Sequence, residues 1–364
     1  MDIIIFIVIL LVLILSHEFG HFIVAKKAGI RVDEFAFGFK PKIFGIKRGE
    51  TTYSLNALPI GGYVKIFGEN PDEESISGLD SARSFVNKPK YIQALVLIAG
   101  VVMNFLVAWL LISVGFMSGL PSSTSAIPKG SVLTNEAVTI MDVAKDSPAE
   151  KAGLKTGDKL ISFSTVNDTT EIPSTESVQY FIKKHGGEEI TVNFNRGTDL
   201  KQVKLIPESK TAKDDPKIGI SMDVIGTLKL SFIQALWEGL KLSANLFVVT
   251  AVGFYTLIHN ALIGQGSMAG IAGPVGIVGI VGDAAKFGFI YLLSLTALIS
   301  VNLVVINLIP FPALDGGRLL FLLIEKIKGS RIKPKVANII NMIGFGILML
   351  LMIVITYRDI VKLF

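Results

Sequence analysis

The residues of this chain best suited to chemistry stand close together near its start, in the run His17-Glu18-Phe19-Gly20-His21. Two histidines four positions apart share one face of an α-helix, so both imidazoles can reach the same metal ion. Glu18 lies beside the first histidine, where it can take a proton from water at that metal without being a ligand itself. The spacing therefore predicts a metal site with an adjacent general base.

The surroundings of this motif strengthen the prediction. It lies at the end of the apolar run 2–25, and a helix needs about 20 residues to cross the hydrocarbon core of a membrane. Ionisable groups inside such a segment are costly and normally mark function. A cleaved signal peptide is the alternative, but the run lacks a basic start and a small-x-small cleavage site. We therefore expect a retained membrane helix that carries the motif.

A catalytic zinc usually has three protein ligands, and the third must come from elsewhere in the chain. The sequence contains no cysteine, which leaves His, Asp or Glu. His259 is one candidate and His185 is a poorer one. The better candidate is Asp315, which follows an apolar run broken by Pro310 and Pro312 and has no basic partner in its own turn. A metal would balance this charge, although a helix cap is the alternative role.

The composition indicates a membrane protein. Of the 364 residues 51% are hydrophobic and 18% are charged, whereas soluble domains carry about 25% charged residues. The net charge of +5 does not point to nucleic acid, because the basic residues lie at the ends of apolar segments. We expect a polytopic α-helical membrane protein with about four transmembrane helices. They are predicted at residues 1–25, 91–119, 289–318 and 336–356.

Two loops rich in Lys and Arg, residues 26–90 and 325–335, belong in the cytoplasm by the positive-inside rule. Both termini and the region after the second helix then lie outside, and the metal site lies toward the cytoplasmic side. Residues 229–288 must cross the membrane an even number of times. An interfacial helix followed by a re-entrant Gly-rich segment satisfies this condition, and so do two crossings.

Residues 126–226 are more polar and resemble one PDZ-like α+β domain. Ser147–Ile161 matches the SPA…AGL…GD signature of PDZ domains. The pattern predicts a helix at 174–185 and strands at 189–195 and 200–206. Such domains bind peptide C-termini by strand addition, with Ile218, Gly219 and Ile220 as the expected carboxylate loop. The alternative is a bulky plug that excludes substrates with large outer domains.

Taken together, these motifs resemble the site-2 protease family of intramembrane zinc metalloproteases, in particular its bacterial regulator-of-sigma-E branch. The matching segments are HEFGH (17–21), GGYVKIFGE (61–69), NLIPFPALDGGR (307–318) and the PDZ-like segment. The resemblance implies one zinc ion held by His17, His21 and Asp315, with Glu18 as general base. It also implies a bacterial plasma membrane location. The implied substrates are transmembrane proteins, such as a pre-trimmed anti-sigma factor or signal-peptide remnants.

The resemblance adds residues that bind substrate. Asn302 and Asn307 stand where family members use amides near the substrate, although joining helices is the alternative role. Residues from about 51 to 68 alternate in a hairpin pattern. The family places such a hairpin against the membrane, and its edge around Gly61, Gly62 and Tyr63 is expected to pair with an extended substrate. In the second helix Val101 follows Gly100 where relatives often have Pro, while Asn104 is retained.

Two other classes of protein compete with this interpretation. A protease-dead scaffold that displays a PDZ domain would be expected to have lost one of His17, Glu18, His21 and Asp315. A metal transporter would use His and Asp in the bilayer, but the sequence shows no inverted repeat and that function leaves Glu18 unexplained.

Overall fold

The computed structural model describes the chain apart from residues 125–126, 129–130, 173, 198, 209–214, 267–270 and 363–364, and apart from the side chains of residues 59 and 60. The chain divides into two units. One consists of Met1–Val114 together with Leu236–Phe364, and the other consists of Gly115–Ala235. The second unit is thus inserted between the two parts of the first.

The first unit begins with a long apolar helix, α1 (Asp2–Lys27), which ends in two lysines whose charge suits the carbonyl end of a helix. Four elements follow it: β1 (Val32–Arg48), β2 (Thr51–Ile66), the short helix α2 (Glu73–Ser77) and the long apolar helix α3 (Lys90–Ser118). Apolar side chains from α1, both strands and α3 form one buried cluster around Ile30, Val32 and Val96. This cluster holds the sheet against the two helices.

The prediction of a hairpin within residues 51–68 is wrong. Thr51–Ile66 is a single strand, and it pairs antiparallel with β1. The chain reverses at Gly49, whose φ of 65° favours glycine. Residues 34–37 of β1 have partners both at 62–65 and at 52–55, so this part of β1 lies between two segments of β2. The alternation of apolar residues was therefore real, but its pairing partner precedes it in the chain.

The inserted unit is a seven-stranded sheet with two helices on it. Its elements are β3 (Leu120–Ser123), β4 (Leu133–Val143), α4 (Pro148–Lys151), β5 (Lys159–Ser164), β6 (Thr169–Glu171), α5 (Thr175–Lys184), β7 (Ile190–Arg196), β8 (Asp199–Leu205) and β9 (Ile220–Leu228). The strand order is β3-β9-β4-β5-β7-β8, and β6 pairs with β5. Phe163, Phe181 and Phe194 are fully buried at its centre.

The predicted elements of this unit match α5, β7 and β8 to within a residue at each end. The predicted domain of residues 126–226 is too narrow. Strand β3 lies before its first residue, which is outside the described part of the chain, and β9 continues to Leu228. The sheet therefore includes the edge strand β3 and the last residues of β9, which the sequence pattern did not indicate.

Five helices follow β9, and from Leu236 onward they belong to the first unit: α6 (Phe232–Leu262), α7 (Pro274–Phe287), α8 (Phe289–Leu308), α9 (Asp315–Lys328) and α10 (Pro334–Val361). Within the segment predicted at 289–318, α8 ends at Leu308 and Asp315 is the first residue of α9, so the helix is interrupted around the two prolines that the sequence singled out. Pro310 and Pro312 cannot donate the backbone hydrogen bonds that a continuous helix needs. The break exposes irregular backbone directly before the predicted metal ligand.

Among the described residues, five helices are long and apolar enough to cross a membrane, by length and composition: α1, α3, α6, α8 and α10. The sequence predicted about four, and the additional candidate is α6, within the stretch 229–288 whose path was left open. The Gly-rich part of that stretch contains α7, which at 14 residues is too short to span. Residues 267–270 of the predicted re-entrant segment lie outside the described residues.

Candidate metal centre and active site

Three side chains converge where α1 meets the start of α9. Nε2 of His17 lies 2.9 Å from Oδ2 of Asp315, and Nε2 of His21 lies 3.3 Å from the same oxygen. The two Nε2 atoms are 3.0 Å apart, and both histidines are buried. One turn of α1 separates the imidazoles, as the four-residue spacing predicted, while the helix break after α8 brings the carboxylate to them.

The donor set fits a divalent cation. Nδ1 of His21 lies 2.7 Å from the carbonyl oxygen of Val96, so the neutral ring carries its proton on Nδ1 and a lone pair on Nε2. That lone pair faces a second imidazole nitrogen and a carboxylate oxygen, a combination of acceptors that a shared cation would stabilise. Two His and one Asp are a ligand set that zinc accepts, with a fourth position left open.

Two glycines allow this geometry by letting α1 and α3 approach closely. A Cβ atom added to Gly20 would overlap the backbone of Ala99 and lie 2.9 Å from the Cα of Gly100. A Cβ added to Gly100 would overlap Nε2 of His21 and lie 2.7 Å from Cε1 of His17. The backbone of α3 at Gly100 is therefore a wall of the metal site, a role that no pattern in the sequence indicated.

Glu18 is held by the backbone of the sheet. Its Oε2 accepts a hydrogen bond of 2.9 Å from the N–H of Val64 in β2. Glu18 also lines both cavities that reach the three converging side chains. A carboxylate fixed through one oxygen next to the predicted metal position is placed to accept a proton from water there. No side-chain pattern in the sequence indicated the contribution of Val64, because the donor is a backbone group.

The larger cavity, of about 530 Å³, opens beside these residues. Its lining is strongly charged and includes Glu18, Asp315, Glu69 and Arg318. Arg318, one turn into α9, forms an ion pair with Glu69, just beyond β2. This pair joins the helix that carries Asp315 to the strand that holds Glu18, so the two parts of the site are mutually braced.

A smaller cavity of about 260 Å³ also reaches the three side chains. It shares His17, Glu18, Ala313 and Asp315 with the larger cavity. The remaining lining residues are Ile14, Asn104, Leu303, Asn307 and Leu314. Asn307 thus lies beside the three converging side chains, whereas Asn302 lines neither cavity.

The predicted substrate-binding residues of the sheet lie on β2. Tyr63 lines the larger cavity, and its hydroxyl donates a hydrogen bond of 2.9 Å to Glu34. Burial raises the pKa of the Glu34 carboxyl, but hydrogen bonds from Ser54 and Tyr63 outweigh burial, so its pKa is lowered and it stays ionised. Gly61 has a φ of 103°, and Gly62 lies next to Ile14 and Leu15 of α1.

The alternative third ligands are engaged elsewhere. Within the inserted unit, the ring nitrogens of His185 lie 2.8 Å from Glu188 and 3.1 Å from Asp168. His259 is exposed on α6 and stacks on Tyr255. In the part of the chain that the structure describes, His17, His21 and Asp315 form the one group of three such residues close enough to share a metal ion.

The expected carboxylate loop is packed inside its own domain. Ile218 is 2% exposed, and its carbonyl oxygen accepts a hydrogen bond of 2.9 Å from the N–H of Ala149. Gly219 has a φ of 80°, and a Cβ there would overlap Ser147. Ile220 begins β9. The loop therefore packs against the turn that carries the predicted PDZ signature.

Comparison with known proteins identifies the family. The profile of peptidase family M50 matches residues 5–351, which is nearly the whole chain. The chain therefore belongs to peptidase family M50, the site-2 proteases. It is a zinc metallopeptidase and a membrane protein, as the sequence motifs predicted.

Individual relatives agree with this assignment. The chain is 30% identical over 434 residues to zinc metalloprotease RasP of Shouchella clausii, covering 99% of this chain and 98% of that one. It is 35% identical over 351 residues to a provisionally named zinc metalloprotease of Clostridium acetobutylicum, covering 96% of this chain and 94% of that one. Among solved structures, the PDZ domain of an SdrC-like protein from Listeria monocytogenes is 23% identical with a TM-score of 0.22, over 25% of this chain and 92% of that one.

Proposed function

We propose that this protein hydrolyses peptide bonds within or beside the transmembrane segments of other membrane proteins, using one zinc ion held by His17, His21 and Asp315. The observation that carries the proposal is the convergence of three ligand atoms within 3.3 Å of one another, on two helices far apart in sequence. Membership of family M50 supports the same chemistry.

His17, His21 and Asp315 would hold the zinc ion, and the bound ion would supply a Lewis acid that polarises the scissile carbonyl and lowers the pKa of water. Glu18 would take a proton from the attacking water, whose oxygen bonds to the scissile carbonyl carbon. It would pass that proton to the leaving amine as the C–N bond breaks, which leaves a carboxylate and an amine. The hydrogen bond from the N–H of Val64 holds one oxygen of Glu18, so the carboxylate is already oriented before the reaction begins. The ion pair between Arg318 and Glu69 holds α9, which carries Asp315, against the end of the sheet.

The substrate must be unwound, because an intact helix hides its carbonyl groups in internal hydrogen bonds. We propose that the strand around Gly61, Gly62 and Tyr63 pairs with the unwound segment by strand addition. Asn307 offers an amide beside the cleavage centre. Asn302, on the same helix, is proposed as a further substrate-binding amide outside the two cavities. The proposed physiological substrates are an anti-sigma factor already trimmed by another protease, or signal-peptide remnants.

The inserted unit is proposed to lie outside the cytoplasm, together with both chain termini, while the catalytic centre faces the cytoplasmic half of a bacterial plasma membrane. This orientation requires that residues 229–288, which contain the candidate span α6, cross the membrane an even number of times. The basic loops at 26–90 and 325–335 support this orientation. In that position the unit would exclude substrates with large outer domains, and peptide binding at Ile218, Gly219 and Ile220 is the alternative role.

Replacing Glu18 with Gln should lower the rate of cleavage by roughly 10²–10⁴-fold, the range expected for loss of a general base. The amide has nearly the same shape and can still contact Val64, so the zinc content should be unchanged. The measurement uses purified protein in detergent with a tagged single-span substrate, mass spectrometry to locate the cut, and metal analysis. Wild-type cleavage should also disappear with a zinc chelator and return when zinc is added.

A matched control is Glu188→Gln, which changes an exposed carboxylate in the other unit and should leave cleavage intact. Cleavage by wild type that persists without metal would refute the proposed mechanism. If wild type bound no zinc at all, the protease-dead scaffold would become the better description.

The orientation can be tested by cysteine labelling, because the natural chain has no cysteine to interfere. In intact bacteria, Val166→Cys, at a position 99% exposed in the inserted unit, should react with a membrane-impermeant maleimide. Ser330→Cys, at an exposed position in the basic loop, should react only after the membrane is permeabilised. Labelling of Ser330→Cys alone in intact cells would mean that the orientation is the reverse of the one proposed. Labelling of both positions would contradict the proposal that they lie on opposite sides of the membrane.

A further inference from the structure

Asn104 lies beside the catalytic centre, but it is neither a proposed metal ligand, nor the general base, nor one of the substrate-binding residues named so far. It stands on α3 one helical turn after Gly100, where an added Cβ atom would overlap the imidazoles of His17 and His21. Its side chain is enclosed, since the residue is 1% exposed. Its backbone carbonyl accepts a hydrogen bond of 2.8 Å from the hydroxyl of Ser300 on α8, which fixes the helix at this point.

The amide of Asn104 is unsatisfied. Both its oxygen and its nitrogen are buried, and neither has a hydrogen-bond partner among the residues that the structure describes. An unpaired buried amide is costly, and such groups in native proteins normally have a partner in the working state of the molecule. The free chain therefore maintains a donor and an acceptor that something else must satisfy.

The position of this amide identifies what that partner must resemble. Asn104 lines the smaller cavity of about 260 Å³, together with His17, Glu18, Asn307 and Asp315. The rest of that lining is apolar: Ile14, Leu303, Ala313 and Leu314. A ligand there must offer both an acceptor and a donor while otherwise tolerating apolar walls. A peptide group flanked by apolar side chains has this character.

We propose that Asn104 binds a main-chain peptide group of the unwound substrate next to the scissile bond. Nδ2 of Asn104 donates to a substrate carbonyl oxygen, and Oδ1 accepts from a substrate N–H. Each partner thereby satisfies groups that the other leaves unpaired, since unwinding a helix frees its backbone donors and acceptors in a place without water. Recognition of this kind is independent of substrate sequence. The inference rests on the proposed function and adds a binding residue to it.

The test measures kcat/KM on a single-span substrate and on versions in which one peptide group at a time, other than the scissile one, is replaced by an ester. An ester lacks the N–H and has a weaker carbonyl acceptor. In wild type, an ester at the position that contacts Asn104 should lower kcat/KM by about fivefold or more, the loss expected for a hydrogen bond in an enclosed site. In Asn104→Ala the same ester should have less than about a twofold effect, because the contact is already absent.

Asn104→Ala itself should lower kcat/KM by roughly 5- to 100-fold on the all-amide substrate while zinc content stays unchanged. Asn104→Leu, which keeps the side-chain volume, serves if the alanine variant does not fold. The matched control is Ser113→Ala, a buried polar residue on the same helix that bonds its own backbone and lines neither cavity. It should behave as wild type in the ester series.

Two results would overturn the proposal. If every ester had the same effect in wild type and in Asn104→Ala, the amide would not contact the substrate backbone. If Asn104→Ala lost zinc but showed an unchanged ester pattern, the residue would be positioning His17 instead. A wild-type protein that binds zinc and cleaves none of the all-amide substrates would contradict the proposed function, which distinguishes that failure from a failure of the role of Asn104.

Discussion

Replacing Asp315 with Ala should abolish proteolysis and strip the purified protein of zinc. The variant leaves two imidazoles to hold the ion, and loss of an outer-shell partner alone typically weakens metal binding by about 10–100-fold. Loss of a direct ligand should therefore weaken it by more than about 100-fold. The measurement is zinc per chain after dialysis against a weak chelator, together with cleavage of the single-span substrate.

The structure supplies a close control for this experiment. Asp283 is an exposed aspartate on α7 that pairs with Lys286, and Asp283→Ala should retain full zinc and full activity. Since the N-cap residue of α9 is Leu314 and no side chain caps this helix end, the helix should persist in the alanine variant. Retention of one zinc per chain by Asp315→Ala would mean that the third ligand is another residue, and His259→Ala would be the next variant to measure.

The ligand set could be proposed from the sequence because its signals are local. The helical period fixes the relation of His17 to His21, and the membrane setting makes both histidines and Asp315 conspicuous. The meeting of Asp315 with the two histidines is a long-range fact that spacing cannot give. It depends on the end of α8 at Leu308 and on the restart of the helix at Asp315. The prolines indicated the break but not its direction.

The sheet shows where sequence reasoning failed. Residues 51–66 alternate as a strand should, but the alternation says nothing about the partner. The partner, β1, contains ten consecutive exposed residues at 39–48, so its own pattern does not resemble a half-buried strand. Two features of the sheet and α3 that shape the catalytic site also leave no signal in the sequence pattern. One is the backbone N–H of Val64, and the other is the absence of a side chain at Gly100.

Replacing Gly100 with Ala should impair metal binding even though alanine is the better helix former. In a helix interior Ala is favoured over Gly by about 1 kcal/mol, so the substitution should help α3 to form. Its new methyl group, however, would overlap Nε2 of His21 and lie 2.7 Å from Cε1 of His17. Two rings that are already buried can yield only by rotating out of alignment with Asp315 or by pushing α1 away from α3.

The expected result is a protein that folds in detergent but binds zinc at least about tenfold more weakly, since even an outer-shell change costs that much, with cleavage reduced in parallel. Gly346→Ala is the matched control, because it adds the same methyl group to helix α10 with no atom within 4 Å. That variant should be neutral or slightly stabilised and fully active. Normal zinc affinity in Gly100→Ala would mean that the imidazoles can shift without losing their ligand geometry, and the contact between α3 and the metal site would then be incidental packing. Weaker zinc binding in Gly100→Ala alone would show that this helix backbone sets the position of both histidines.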